Sequence, residues 1–107
     1  MTFIAFDVSL EMIRRLRTLL DLIQTRDGSL ANQLRRAAAS VPLNLSEGRR
    51  RRGKDRLHFY RIAAGSADET RACLLVADAW GYIKPGDADE VLGFLDRICG
   101  MTWRLTH

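Results

Sequence analysis

The stretch from Leu34 to Gly48, LRRAAASVPLNLSEG, decides how the chain folds. Its apolar and small residues recur every three or four positions, which is the spacing of one face of an α-helix. That face begins one turn earlier and consists of Leu30, Leu34, Ala37, Val41, Leu45 and Gly48. Pro42 has no N–H to donate to the carbonyl of Ala38 and crowds that turn. Because the periodicity resumes after the proline, we predict one helix from about Ser29 to about Arg50, kinked at Pro42.

Three polar residues follow one flank of this helix at intervals of three or four positions: Ser40, Asn44 and Glu47. A kink leaves carbonyl groups under-satisfied, and we expect the Asn44 side chain to fold back and donate to one of them. A partly buried Glu47 needs a cation, for which Arg35 or an arginine of another helix or subunit is the candidate. We therefore interpret the cluster as structural.

A first helix is expected before this one, from Asp7 to Thr25, with Asp7 or Ser9 as its cap. Its expected apolar stripe consists of Leu10, Ile13, Leu16 or Arg17, Leu20 and Ile23. A third helix is expected from about Lys54 to Trp80, closed by Gly81 with Ile83 as a hydrophobic contact. A fourth begins at Asp87, which with Glu90 resembles a capping box, and runs to near the terminus.

The short connections make neighbouring helices antiparallel. The sequence therefore predicts an all-α fold with one domain, 1–107: an antiparallel up-down-up-down four-helix bundle with a proline-kinked second helix. From Ala72 to Trp80 only Asp78 is polar, so this part of the third helix needs cover on more than one side. A second subunit is expected to provide it.

Composition and hydropathy restrict the classes of protein to which the chain can belong. The 107 residues fit one hydrophobic core, and 17 Lys and Arg against 13 Asp and Glu give a formal charge of +4. No segment approaches the roughly 20 apolar residues needed to span a bilayer. No secretory signal is expected, since charged residues interrupt the N-terminal apolar residues. Cys73 and Cys99 are then expected to be buried free thiols in a reducing cytoplasm.

Catalytic patterns are not found in the sequence. His58 and His107 have no metal-ligand spacing with the two cysteines, and no phosphate-binding glycine loop is present. Asp68 and Glu69 are adjacent, so on a helix they point about 100° apart. We expect neither an enzyme nor a cofactor or metal site.

Basic residues are concentrated between the second and third helices. They are Arg49, Arg50, Arg51, Arg52, Lys54 and Arg56, with Arg61 following on the third helix. Guanidinium groups match phosphate oxygens, so we interpret the segment as a contact for RNA or DNA backbone without sequence specificity. The alternatives are a solvated turn and a docking site for an acidic protein. Phe59 and Tyr60 fit the core pattern, so base stacking near the segment is not supported.

The stretch from Leu34 to Gly48 closely resembles the signature of bacterial four-helix bundle proteins encoded in intervening sequences of 23S rRNA genes. Further matches are Lys54-Asp55, Phe59-Tyr60, Ala64-Gly65-Ser66, Glu69 and Trp80-Gly81-Tyr82-Ile83, so the resemblance covers about positions 30 to 83. Its structural motif residues here are Arg35, Ser40, Pro42, Asn44, Glu47, Gly48 and Glu69. The chain departs from the family pattern at Arg71 and Cys73, where a Glu and a Gln are usual.

The resemblance implies a four-helix protomer that assembles into a homo-oligomeric ring, typically a pentamer. It also implies kinship with the accessory proteins of diversity-generating retroelements, which look like basic pentameric barrels that bind nucleic acid and a reverse transcriptase. We therefore expect a non-enzymatic homo-oligomer that binds RNA or DNA through its basic segment. The alternatives are a scaffold that docks an acidic partner such as a reverse transcriptase, and a structural product with no defined ligand.

Overall fold

Four helices account for most of the chain in the computed structural model, which describes residues 3–107. They are α1 (Ile4–Arg26), α2 (Gly28–Arg49), α3 (Gly53–Trp80) and α4 (Asp89–Thr106), and the described part of the chain contains no strand. Each helix packs against two others, α1 and α3 each contacting both α2 and α4. The bundle is 42 Å long, about the length of a 28-residue helix, so all four run along one axis. The predicted all-α, four-helix bundle is confirmed.

The α2 helix continues without interruption through the buried Pro42, as predicted, and the kink itself stays a prediction. Asn44 does fold back: its Nδ2 donates to the backbone oxygen of Ser40 at 2.8 Å and to Ser40 Oγ at 2.9 Å. Ser40 Oγ in turn lies 2.7 Å from Ser66 Oγ on α3. The polar flank of α2 therefore ties this helix to its neighbour through Ser40 and Ser66.

The predicted core face of α2 is buried from Leu34 to Gly48, while Leu30 is only partly buried. Of the predicted stripe of α1 only Leu16 and Ile23 are buried; Leu10, Ile13 and Leu20 are partly buried and Arg17 is exposed. The buried residues of α1 are Ala5, Val8, Ser9, Met12, Leu16, Leu19 and Ile23. Because α1 contacts two helices, its apolar arc is wide, and the predicted stripe follows the edge of that arc.

Helix starts also differ from the prediction. The α1 helix begins at Ile4 with Phe3 as N-cap and no side-chain cap, so Asp7 and Ser9 lie inside it. Asp27 separates α1 from α2 and caps α2, because its side chain accepts a hydrogen bond from the Leu30 N–H at 3.0 Å. The proposed capping box of α4 is not formed; Asp87 instead accepts from the Lys84 N–H within the preceding turn.

The end of α3 matches the prediction. Gly81 takes a left-handed conformation (φ 77°), the Tyr82 N–H donates to the Ala77 carbonyl, and Ile83 is buried. The apolar stretch before it is only half covered, since large apolar side chains at Leu75, Val76 and Trp80 remain exposed. A single bundle thus leaves part of α3 without cover, as the sequence indicated.

Candidate nucleic-acid interface

We call residues 49–56 the basic turn. The C-terminus of α2 and the N-terminus of α3 meet here, joined by Arg50, Arg51 and Arg52, and Gly53 has a positive φ of 57° that suits glycine. Every residue of the basic turn is exposed. The N-terminus of α1 and the C-terminus of α4 lie at the same end of the antiparallel bundle, which we call the basic end.

Arg56 has a structural role within the basic turn. Its Nε donates to the carbonyl oxygens of Gly48 at 3.2 Å and Arg51 at 3.0 Å, and its Nη2 donates to that of Arg49 at 3.0 Å. These carbonyls belong to the last turn of α2 and the connection after it, which lack partners inside a helix. Arg56 therefore closes the C-terminus of α2 and holds the turn in shape.

Glu47 lies beside the basic turn and pairs with two of its arginines. Its Oε2 is 2.9 Å from Arg50 Nη2 and 3.5 Å from Arg51 Nε. The hydrogen bond from Arg50 is the main cause that lowers the pKa of Glu47, against some desolvation, with the charges of Arg50 and Arg51 adding to it. Arg51 also lies 3.8 Å from the Asp55 carboxylate. Two carboxylates thus compensate part of the charge of six basic residues.

The predicted partners of Glu47 are corrected: Arg35 does not pair with it. The two residues are twelve positions apart on α2, which is about 18 Å along the axis. Arg35 instead donates to Asn32 Oδ1 at 2.8 Å and to Gln24 Oε1 at 3.5 Å. Glu47 pairs with Arg50 and Arg51 in the connection directly after α2, and not with an arginine of another helix; a partner from another subunit stays a prediction.

Two arginines of the basic turn lie over aromatic rings. The guanidinium carbon of Arg49 is 5.3 Å from the centre of the Phe3 ring, and that of Arg51 is 5.0 Å from the centre of the Phe59 ring. Such contacts orient the side chain and leave its edge donors for other partners. The rings therefore act as supports for the basic turn.

Arg61 is placed apart from the basic turn, contrary to its grouping in the sequence. It lies two helical turns further along α3 and lines a cleft of about 420 Å³ against the C-terminal part of α4. Arg52 and Lys54 remain on the exposed surface of the turn itself. Of the seven predicted contact residues, six form one surface and the seventh belongs to a neighbouring one.

Charge is distributed unevenly along the bundle. Division at the helix midpoints puts ten basic and four acidic residues in the basic end (3–15, 39–66 and 98–107), a net charge of +6. The other half (16–38 and 67–97) has seven basic and nine acidic residues, a net charge of −2. The formal charge of +4 is thus the sum of a strongly basic end and a slightly acidic one, so the positive potential is concentrated at one end.

Gly48 and Glu69, the remaining motif residues, both lie where α2 and α3 meet. Gly48 is buried at the place where α3 crosses α2, and a Cβ there would lie 2.7 Å from the Tyr60 ring. Glu69 is exposed on the rim of a groove between α2 and α3 that Ser40 and Ser66 also line. No carboxylate or histidine of the described chain joins them to make a metal-binding group.

Neither cysteine is paired. Cys73 is buried, as predicted, but Cys99 is only partly buried and lines the same cleft as Arg61. Desolvation is the first cause that raises the pKa of both thiols. Within residues 3–107, no helix has the length and hydropathy required to cross a membrane.

One family model matches nearly the whole bundle. The model of the family described as 23S rRNA-intervening sequence protein matches residues 3–104. The chain belongs to this family. The match includes α1 and α4, which lie outside the segment whose motifs resemble the family in sequence.

The same fold is found in a solved structure. It is the crystal structure of a protein with unknown function from the S23 ribosomal protein family of Bacteroides thetaiotaomicron VPI-5482. The two superpose with a TM-score of 0.86 at 20% sequence identity, over 95% of this chain and 97% of that chain. Identity this low shows the fold alone. No curated protein matches the sequence.

In this member of the 23S rRNA-intervening sequence protein family, the sequence alone did not identify one part of the basic end. In sequence, Trp103, Arg104 and His107 lie far from the basic turn. The antiparallel packing of α4 nevertheless brings them to the end of the bundle where the basic turn lies. Trp103 lines the cleft with Arg61. The predicted up-down-up-down order, which puts the C-terminus of the fourth helix at this end, was the signal that would have found them.

Proposed function

We propose that the protein is a non-enzymatic, homo-oligomeric four-helix bundle, a pentamer as the family resemblance implies, that binds RNA or DNA through its basic turn without strong sequence specificity. The observation that carries the proposal is the uneven charge distribution: the net charge of +6 at one end is concentrated in an exposed turn with six basic residues. Binding of this kind releases counterions from the phosphate backbone and depends steeply on salt.

The contacts within the turn assign different roles to its residues. Arg56 and Glu47 fix the shape of the turn, since the first closes α2 and the second holds Arg50 and Arg51. Arg52 and Lys54 are exposed on the outside of the turn. We assign phosphate contacts mainly to Arg50, Arg52 and Lys54, with Arg49 and Arg51 oriented by their aromatic neighbours.

Assembly strengthens weak contacts of this kind. One basic turn contacts only a few phosphates, but copies of the turn around a ring present them to one strand at high effective concentration. The exposed apolar part of α3 supports self-association, because such a surface is normally covered in a soluble protein. The basic turn offers exposed cations and no helix or strand that could enter a groove, so the proposed binding is to backbone.

A salt titration with matched charge variants tests the proposal. The test variant replaces Arg50, Arg52 and Lys54 by Ala, and the control variant replaces Arg26, Arg36 and Lys84, three exposed basic residues of the opposite half. Both variants lose three charges, so net charge is held equal. Binding of a labelled single-stranded RNA is measured by anisotropy from low to high salt.

The slope of log affinity against log salt should fall by about 2 in the test variant, or roughly 0.7 per lost phosphate contact, and remain near that of the wild type in the control. Equal slopes in the two variants would contradict the assignment to the basic turn. Absence of RNA and DNA binding, together with a protein partner that survives nuclease treatment, would favour the scaffold instead.

A further inference from the structure

A cleft lies between α3 and α4 at the basic end. It has a volume of about 420 Å³, and its lining includes Arg61, Ala64 and Asp68 of α3 and Trp103 and His107 of α4. The lining residues of each helix recur every three or four positions, so the cleft is a groove along the line where the two helices meet. Its lining reaches the C-terminus of α4, which lies at the same end of the molecule as the basic turn.

Trp103 is the main aromatic surface of this cleft. Its side chain is 61% exposed, which is unusual for the largest apolar side chain in a protein with one small core. The His107 ring stacks on it in nearly parallel orientation, with 4.5 Å between ring centres and an interplanar angle of 11°. His107 Nδ1 lies 3.0 Å from the Trp103 backbone oxygen and 3.1 Å from Thr106 Oγ1, so the ring is held in place.

The two helices are in a register that sets Trp103 against a small residue. Cys99 Sγ lies 3.7 Å from Asp68 Oδ1, and from that contact the antiparallel register places Trp103 near Ala64. Ala64 has little side-chain bulk to cover the indole. The run of small residues on α3 therefore leaves the aromatic surface accessible at this point, in addition to allowing Ala63 and Ala67 into the core.

The two ends of the cleft carry opposite charges. Arg61 and Asp68 are seven residues apart on α3, so they stand about 10 Å from one another along the cleft. A phosphate is attracted at the Arg61 end, which is nearer the basic turn, and repelled at the Asp68 end. An aromatic base with its phosphate toward Arg61 satisfies both conditions, whereas a free inorganic phosphate leaves the indole uncovered.

We propose that Trp103 stacks against a base of single-stranded nucleic acid, with Arg61 contacting the adjoining phosphate. This inference rests on the proposed function and adds a preference for single strands to it. Inside a duplex both faces of each base are covered by neighbouring base pairs, so away from the duplex ends only an unpaired base can stack on the indole. The basic turn by contrast contacts either form.

Two measurements test the inference. Trp80, the other tryptophan, is replaced by Phe so that Trp103 is the sole indole, and its emission is followed during titration with a 12-nucleotide RNA and with the same RNA annealed to its complement. The single strand should quench the emission and the duplex should leave it nearly unchanged. Fluorescence anisotropy of labelled RNA reports binding of both forms independently of the indole.

The second measurement compares variants. Trp103→Ala should weaken single-strand binding about 5- to 100-fold, as expected for the loss of one stacked base, and change duplex binding less than twofold. Trp103→Phe should restore part of the loss, and Leu22→Ala, which removes an exposed apolar side chain of α1 in the opposite half of the bundle, should have no such effect. Arg61→Ala should weaken single-strand binding more than duplex binding.

Each outcome has a separate meaning. RNA binding without quenching of Trp103, or an equal effect of Trp103→Ala on both RNA forms, overturns the stacking site and leaves the basic turn in place. Absence of any binding by anisotropy overturns the proposed function and the stacking site together. A Trp103→Ala variant that fails to fold leaves the quenching measurement to decide.

Discussion

Gly48 lies directly against the ring of Tyr60, where a Cβ at position 48 would stand 2.7 Å from Cε1 and 2.8 Å from Cδ1. Phe59 Cβ would be 3.2 Å away, so the crowding comes from two consecutive residues of α3. This is the last full turn of α2 before the basic turn begins. The absence of a side chain at Gly48 therefore determines how closely α2 and α3 approach and, through them, how the arginines are displayed.

The first prediction concerns this contact. Gly48→Ala should lower the free energy of unfolding by about 1–3 kcal/mol, because a methyl group forced into a packed site moves the Tyr60 ring and the backbone. Urea unfolding followed by circular dichroism measures it. Gly93→Ala is the matched control: it adds a methyl to an α4 position with open space around it and should be neutral or stabilise by up to about 1 kcal/mol. Equal effects of the two substitutions would contradict the packing argument.

The second prediction concerns Arg56, whose three hydrogen bonds close the end of α2. Arg56→Ala should destabilise the protein by about 1 kcal/mol, a value at the lower end for charged donors because the site is exposed. Arg52→Ala should change stability by less than about 0.5 kcal/mol, since Arg52 is on the exposed surface of the same turn. Hydrogen exchange should become faster in the last turn of α2 in the Arg56 variant alone, and unchanged exchange there would exclude the capping role.

These contacts show how far the sequence predicts the fold. The α2 pattern predicted the buried face from Leu34 to Gly48 correctly because a proline, small residues and a polar flank left only one arc of the helix apolar. In α1 the apolar residues cover a wide arc, and two registers of the same period fit it equally well. Only packing against both α2 and α4 selects Met12 and Leu19 over Ile13 and Leu20.

The third prediction concerns pH. The hydrogen bond from Arg50 lowers the pKa of Glu47 below its ordinary value near 4.5 in the folded protein. The resulting stability is fully present above the unfolded pKa and is lost as the pH falls through the lower folded value. The carboxyl carbon of Glu47, followed by NMR, should titrate below its ordinary range, and Arg50→Ala should return its pKa toward that range. An unchanged Glu47 titration in the variant would show that Arg50 is not the cause.

The candidate site could be predicted only in part. The basic turn is continuous in sequence, so its composition was sufficient to find it. Its internal contacts were not predictable, because the partner of Glu47 depends on how the chain turns after Arg49 and because Arg56 reaches back to carbonyls five to eight residues earlier. The predicted helix order puts the end of α4 at the basic end, but the position of Trp103 beside Ala64 depends on the register of α3 against α4, which has no local signal in the sequence.

The fourth prediction concerns the uncovered surface of α3. Leu75, Val76 and Trp80 are 51%, 43% and 71% exposed. With the exposed Ala72 and Ala79 they lie within an arc of about 140° on the helix, so they form one apolar face. Water-exposed faces of this kind mark interaction surfaces in soluble proteins. The native mass, measured by light scattering after nuclease treatment, should therefore be several times 12.1 kDa.

Replacing both Leu75 and Val76 by Asp should reduce that mass to the protomer value without unfolding the bundle, because neither side chain belongs to the buried core. Burying the two new carboxylates against a second copy costs several kcal/mol of association free energy per subunit contact, whereas in the separate protomer they remain in water. Leu43→Asp is the control, since Leu43 is 67% exposed on α2 without other large exposed apolar residues on its helix. A wild-type protein that is a monomer at micromolar concentration, or a Leu43 variant that dissociates equally, would contradict α3 as the assembly face.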